Sequence, residues 1–437
     1  MREIYEEDVH GERVLSGGKY QWLWQHEVSK TEWKTIEPHA PFYFFMPQDT
    51  NLRNEYELGW RVTDFMPINS TGVKTHRDQF VVSFTLSELR RRIEDFRNLS
   101  IPDQEISERY GLHDTRDWKL NQRRRSIVLD AQWEQVFTKH LYRPFDVRFY
   151  YHHADVVELP RQEVMRHMLT ATNLALITTR QTKESWDAHA SRQTIDHKSV
   201  AAYDTNSLFP LYRYPEKEKT DLFDTDEPTD APGGRRPNLA PEFVAELERR
   251  LKMSFIPDGT GDLARTFGPE DVFAYMYAVF HSPTYRSRYS EFLKIDFPRL
   301  PLTSDPALFR LLCAHGARLV RLHLMEERAP DLVAFPVGGA NTVEAVRYTA
   351  PGEGGASEGR IYVNREQYFA NVPPEVWNFH VGGYQVANKW LKDRKGRMLS
   401  YDDLAHYAQT LAALAATIRL MSEIDAAIEA HGNWPLR

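Results

Sequence analysis

Near the C-terminus Leu404, Tyr407, Leu411, Leu414, Ile418 and Met421 recur at alternating steps of three and four. That spacing draws one apolar stripe along a helix, and a heptad-like stripe favours a helix packed lengthwise on a partner. An ordinary amphipathic core helix satisfies the same spacing. A second long helix is expected around Leu308, Leu311, His315, Leu319 and Leu322, and between the two lies a β-rich insertion with a Gly-rich loop, Gly352 to Gly359.

The N-terminal hundred residues read as β structure leading into a helix. Phe42 to Met46, between Pro41 and Pro47, and Asp78 to Phe84 have strand character. Thr85 with Glu88 three residues on has the form of a capping box, ahead of Leu86, Leu89, Ile93 and Phe96 at helical spacing. Strands are predicted at Val147–Tyr151, Leu174–Thr178 and Phe209–Tyr214, with a helix starting after Pro160. The acidic, Pro/Gly-rich stretch 216–238 reads as a loop or linker closed by a helix opening at Pro241. Pro269 opens an aromatic-rich helix, EDVFAYMYAVFHS. The expected class is α+β, a twisted mixed β-rich core with long flanking helices. Its expected divisions are 1–98, a core at 99–301 carrying the acidic loop, and a helical/β subdomain at 302–437.

The formal net charge is −7, which argues mildly against an isolated tight nucleic-acid binder. The charge is concentrated, however: Glu216 to Asp230 holds seven carboxylates against Lys217 and Lys219. The remainder is near neutral and can still grip phosphate if its cations cluster. The single cysteine, Cys313, rules out an intramolecular disulfide. MREIYEEDVHGER has no secretory pattern, and no apolar run approaches the ~20 residues of a membrane helix, so a cytoplasmic location is expected.

No G-x-x-x-x-G-K-[ST] phosphate cradle is present, no Asn-Pro-Pro-aromatic motif and no Gly-rich dinucleotide or S-adenosylmethionine turn. One cysteine cannot complete a Cys/His zinc pattern. Two groups have catalytic residue types: His152, His153 and Asp155; and Asp187, His189, Asp196 and His197. The first would suit a metal-dependent small-molecule hydrolase, but 17 histidines make chance proximity the simpler account of both. Glu216–Lys219 resembles the tail of a nuclease motif without a strand to frame it.

Three blocks narrow the choice. The first is LYRPFDVRFYY (141–151) with PRQEVMRH (160–167) and NLALITTRQ (173–181). The second is FAYMYAVFHSPTYR (273–286) running into FLKIDFPRLP (292–301). The third is WNFHVGGYQV (377–386) with KWLKDRK (389–395). Together, in this order, they resemble the C-terminal specificity domain of type ISP restriction–modification enzymes, and more distantly type IIG enzymes, from about Pro41 onward. The resemblance implies sequence-specific recognition of double-stranded DNA and no catalysis by this region. The partners it implies are nuclease, translocating ATPase and N6-adenine methyltransferase domains, in cis or in trans. S-adenosylmethionine, ATP and Mg would belong to those domains, and the first hundred residues resemble the segment after the methyltransferase motifs. A stand-alone specificity or anti-phage subunit recruiting a separate catalytic partner fits the same blocks.

DNA readers place Arg, Lys, Asn and Gln on loops of a rigid scaffold, some for base edges and some for phosphate. Arg180, Gln181, Arg192, Gln193, His197, Lys198 and Asn206 are the base-contact candidates, Arg192 suiting guanine and Gln193 adenine. Lys183, Tyr384, Gln385, Lys389, Lys392, Arg394 and Lys395 are the phosphate-contact candidates, with Gly382-Gly383 allowing a tight turn or close backbone approach. Trp390 and Tyr277 read as core residues rather than stacking platforms.

Overall fold

The computed structural model describes residues 4–7, 16–36, 51–215 and 230–436. The expected strand at Phe42–Met46 and the nuclease-like Glu216–Lys219 lie outside these residues. Two compact units are present, 1–54 and 55–437. In the smaller, Ile4–Glu6 pairs antiparallel with Lys34–Ile36 beside a short helix, Lys19–Gln25.

The larger unit is a mixed α+β body with two four-stranded sheets at its centre. The elements used below are β1 (Ser70–Thr71), β2 (Val82–Ser83), α1 (Leu86–Arg97), α2 (Asp103–Tyr110), α3 (Leu120–Leu129), β3 (Phe137–Arg143) and β4 (Asp146–Tyr151). Then follow α4 (Gln162–Leu169), β5 (Ala175–Thr179), β6 (Ala188–Ser191), β7 (Thr194–Ile195) and β8 (Asn206–Pro210). The first sheet has the order β7-β3-β4-β2, and its β7–β3 pair is parallel. The second has the order β1-β8-β5-β6 and is antiparallel throughout. All residues of β5, β6 and β8 are buried. A strand covered on both faces needs no polar alternation, which is why Ala188-His-Ala-Ser191 carries no strand signal of its own.

The segment expected as a strand at Asp78–Phe84 divides. Asp78–Val81 is a helical turn, and only Val82–Ser83 pair, with Tyr150 and Phe149. The Asp78 carboxylate accepts from the hydroxyls of Thr75 and Tyr142, and the Arg92 guanidinium takes the carbonyls of Gln79 and Val82. These side-chain bonds draw the chain out of extended form. Half of the expected capping box forms: Thr85 Oγ1 accepts from Glu88 N at 3.3 Å, while the Glu88 carboxylate turns to Ser83 Oγ at 2.8 Å. Helices α1 and α3 cap each other. Arg124 of α3, fully buried, donates to the carbonyls of Phe96 and Asn98 at the end of α1. Arg97 of α1 donates to those of Ile127 and Val128 at the end of α3. Each guanidinium thereby satisfies carbonyls a helix end leaves orphaned. The expected strand Phe209–Tyr214 breaks at Leu211, beyond which Tyr212–Arg213 pairs with Arg236–Pro237.

The longer helices and the main β units of the remainder begin with α5 (Pro241–Leu251), α6 (Pro269–His281), α7 (Pro306–His323), β9 (Arg347–Thr349), β10 (Arg360–Tyr362) and β11 (Tyr368–Phe369). The hairpin β12 (His380–Val381) and β13 (Tyr384–Gln385), α8 (Val386–Lys392) and α9 (Tyr401–Ala430) follow. Helices α6 and α7 approach so closely at Gly316 that a Cβ there would sit 1.8 Å from Ala274 O. Between α6 and α9, helix α7 buries two sides. Phe309, Leu312, Cys313 and Val320 are therefore interior, whereas Leu311, expected in the stripe, is 42% exposed. Along α9 the expected stripe holds through Leu414, then passes to Thr417, Leu420, Ile424 and Ile428, leaving Ile418 and Met421 half-buried. Beyond Leu414 the buried face of α9 follows its packing on α6 and α7 rather than the seven-residue repeat.

Candidate nucleic-acid interface

Strand register decides which candidate residues share a surface. Because β5 and β6 run antiparallel with Thr178 opposite Ala188 and Ala175 opposite Ser191, the turn 180–187 lies at one end of the second sheet. Arg192 and Gln193 leave from the other end, about 13 Å away at ~3.3 Å per residue. Asn206 opposes Thr179, so the loop 197–205 entering β8 joins the 180–187 turn. The structure thus brings Arg180, Gln181, Lys183, His197 and Lys198 together and separates them from Arg192 and Gln193.

At the first end the two loops are stitched through their backbones. Lys183 N donates to Asp204 Oδ2 at 2.9 Å, Ala202 N to Glu184 Oε2 at 3.2 Å, and Thr182 N to Lys294 O at 3.0 Å. Beneath them, buried Asp196 accepts from Arg143 Nη1 at 2.9 Å and from Lys198 N at 2.8 Å. Burial pushes the Asp196 carboxyl up, but His197 and Arg143 more than reverse this and hold it below the ordinary carboxylate value. Asn206 is fully buried: its Oδ1 accepts from Val200 N at 3.1 Å and its Nδ2 donates to Asp196 O at 3.0 Å. This corrects its assignment as a base reader, since both ends of its amide are spent on the loop. Gln181, Lys183 and Tyr203 are exposed, Tyr203 by 76%, and His197 and Lys198 are half-buried. Arg180 is exposed, its Nε 3.7 Å from Asp296 Oδ1. Tyr203 escaped the sequence reading because an isolated tyrosine in a polar run carries no periodic signal.

At the opposite end, Arg192 is bound as a fork by both carboxylate oxygens of Glu326 and donates to Asn173 O at 3.3 Å. To read a base it would have to release a two-pronged ion pair, a partner 134 positions distant that sequence alone does not announce. Gln193 is half-buried next to it.

The third block divides likewise. Gly382 adopts φ +54, and a Cβ there would lie 2.0 Å from Val200 O, so the hairpin turn abuts the 197–205 loop. Gly382 N donates to Asp187 Oδ2 at 3.2 Å, and Asp187 Oδ1 holds Arg286 at 2.5 Å. Tyr384 is 7% exposed and its hydroxyl donates to Lys198 O at 2.9 Å. Gln385 Nε2 donates to Trp377 O at 2.8 Å. Arg394 is buried, stacked on Trp390 at 3.4 Å and donating to Asp146 Oδ1 at 2.8 Å. Burial raises the Asp146 carboxyl, and Arg148 with Arg394 outweighs it, leaving it below its usual range. Arg394 and Tyr384 therefore depart from the phosphate assignment, because their polar atoms are consumed internally. Lys389 bonds Asp393 at 2.6 Å. Lys392 and Lys395 are exposed. Trp390 and Tyr277 are buried, as core residues. Beside the 183–187 turn opens a cleft of ≈ 1030 Å³ whose lining includes Lys183, Trp186, Arg286, Lys294, Phe379 and His380.

Most members of the catalytic-looking groups are spent on internal bonds. His152 Nε2 lies 2.8 Å from Gln162 Oε1, His153 Nε2 3.1 Å from Asp130 Oδ2, and Asp155 accepts from Arg123 at 2.7 Å. Asp187 and Asp196 each hold an arginine, and His189 is buried. Among the described residues no group of three or more His, Cys, Asp or Glu is arranged to hold a metal ion. No helix among them is long and apolar enough to cross a membrane.

The larger unit is a mixed α+β body whose second sheet is buried, and the sequence assigns it to a family. Residues 64–423 match the type ISP C-terminal specificity domain, and the chain belongs to that family. Comparison with curated proteins gives no significant match. Among solved structures, a nuclease-deletion mutant of the type ISP restriction–modification enzyme LlaGI, in complex with a DNA substrate mimic, superposes with TM-score 0.66 at 18% identity, over 96% of this chain and 33% of that one. The DrdV–DNA complex gives 0.68 at 19% identity, over 93% and 42%. The ATP-dependent type ISP enzyme LlaBIII bound to DNA gives 0.64 at 16%, over 90% and 25%. The chain spans between a quarter and somewhat under half the length of these structures.

Proposed function

We propose that this chain recognises a specific double-stranded DNA sequence on behalf of a type ISP-like restriction–modification enzyme, and does no chemistry itself. The observation that carries the reading is the specificity-domain match over 64–423, supported by similar folds in proteins described as bound to DNA. The Arg180–Lys183 turn and the His197–Tyr203 loop are the base-reading edge, where exposed donors and acceptors stand on backbone fixed by internal bonds. Lys392 and Lys395 hold phosphate, which fixes register and carries no sequence information directly. Methylation, translocation and cleavage belong to other domains, in cis or in trans, in the cytoplasm, together with S-adenosylmethionine, ATP and Mg.

Selection of duplexes from a random pool by the whole chain tests the reading. One enriched motif is expected, lost when Gln181 and Lys198 are both changed to Ala, at about 1–3 kcal/mol per lost base contact. The same preparation is expected to give no saturable heat with S-adenosylmethionine. Enrichment of no sequence, or a saturable cofactor signal, overturns it.

A further inference from the structure

The hairpin β12–β13 touches the reading edge without belonging to it. Its Gly382-Gly383 turn lies against both loops: a Cβ on Gly382 would sit 2.0 Å from Val200 O, and one on Gly383 2.0 Å from Glu184 Oε2. Glu184 in turn accepts from Ala202 N, and Asp187, at the base of the same turn, accepts from Gly382 N. Tyr384 closes the contact from below. Its ring is buried, Arg143 stands over it at 5.5 Å, and its hydroxyl donates to Lys198 O at 2.9 Å and faces Ala201 O at 3.4 Å. The loop 197–205 is thus gripped by Asp196 and Asn206 at its root and by Tyr384 along the 198–201 backbone.

We infer that the hairpin is a clasp for the reading loops and that Tyr384 is a positioning residue for sequence discrimination, not a phosphate contact. The inference rests on the loops being the readers. Base contacts need side chains delivered to a fixed place, whereas a phosphate contact tolerates displacement because the charge acts over several ångströms. Releasing the 198–201 backbone therefore degrades discrimination more than it degrades overall attraction to DNA. Tyr384→Phe removes the hydroxyl alone and leaves the buried ring in place.

The experiment compares wild type and Y384F on the duplex selected from the random pool and on a scrambled duplex, at two salt concentrations, alongside amide exchange. Affinity for the selected duplex is expected to fall about fivefold, the worth of one ordinary hydrogen bond. The scrambled duplex and the salt slope stay unchanged, and exchange quickens at Val200, Ala201 and Ala202 but not in β3 and β4. Equal loss on both duplexes, with the slope unchanged because the hydroxyl carries no charge, would make Tyr384 a phosphate contact and overturn the inference. So would unchanged exchange at 200–202, or faster exchange across both sheets, which marks a general packing residue. Gly382→Ala, which drives the turn away from Val200, is expected to move discrimination in the same direction; unaltered discrimination there counts against the clasp. Gln181→Ala and Lys198→Ala separate the levels. If they lose discrimination and Y384F does not, the clasp alone fails; if neither loses it, the assignment of the reading loops fails.

Discussion

Three basic residues within four positions, Lys392, Arg394 and Lys395, look equivalent in the sequence and are physically unlike. Arg394 stands between Trp390 and Asp146, with Arg148 sharing the same buried carboxylate. Removing one partner of a buried ion pair leaves charge uncompensated and typically costs about 3–5 kcal/mol. Arg394→Ala is therefore expected to lower the melting temperature severely. Lys392→Ala and Lys395→Ala are expected to change stability by less than about 0.5 kcal/mol. They should instead weaken all duplexes alike and make the salt slope shallower by about 0.9 for each phosphate released. Thermal melts and salt titrations of the three variants check this. A fully stable Arg394→Ala protein with a shallower slope would restore Arg394 to the phosphate surface.

Where β6, α6, α7 and α9 meet, three histidines share the interior. His323 lies with ring centroids 5.2 Å from both His189 and His281, and its Nδ1 and Nε2 are 2.5 Å from the Tyr277 hydroxyl and 2.9 Å from the Thr417 hydroxyl. Burial holds His189 down to about 4, and holds His281 and His323 well below their usual value, with Arg286 adding to both. His140, in β3, is held to about 3 by burial. All four are neutral when folded, and the unfolded chain binds their protons near pH 6.5. Their stabilising contribution is complete above that pH and is lost as the pH falls toward 4. The melting temperature should drop through this window, before the carboxylates titrate. Among the described residues neither ring nitrogen of His189 has a hydrogen-bond partner. His189→Phe is thus expected to preserve stability at pH 7 and to flatten the acid limb, by on the order of 3 kcal/mol at most. A melting temperature independent of pH between 7 and 4 would contradict this account.

For the molecule as a whole, charge sets the background against which recognition works. Much of the net −7 comes from the stretch 216–230. Deleting it is expected to raise affinity for any duplex at low salt, an effect that fades as the Debye length shrinks toward ~8 Å. Gel shifts of the deleted protein on a scrambled duplex at two salt concentrations measure this, and equal gain at both would refute the electrostatic origin. The elements with strong periodicity or caps, β4, β5, α1, α5 and α6, were legible in the sequence, whereas the polar run 180–206, read as one loop, is interrupted by the buried strands β6 and β7. What was hidden depends on distant partners. Arg192 and Glu326 are 134 positions apart, Arg394 and Asp146 248, and Tyr384 and Lys198 186. Local composition describes a side chain's chemistry but not what has already consumed it, so paired and free cations read alike.

The separation between anchors and presenters in the 180–205 loops bears on how such a protein changes over generations. Asp196, Asn206, Glu184 and Asp204 fix the path of the chain by bonding backbone, whereas Gln181, Lys183, His197 and Tyr203 face outward. Substitutions at the outward positions leave the path intact, so on the proposed reading new target sequences are reachable in single steps without refolding the scaffold. Changes at the anchors alter several contacts at once and have no such gradual route. Repertoires of related proteins built this way would diversify at the tips while their roots stay fixed, much as exchangeable type is set in a rigid frame.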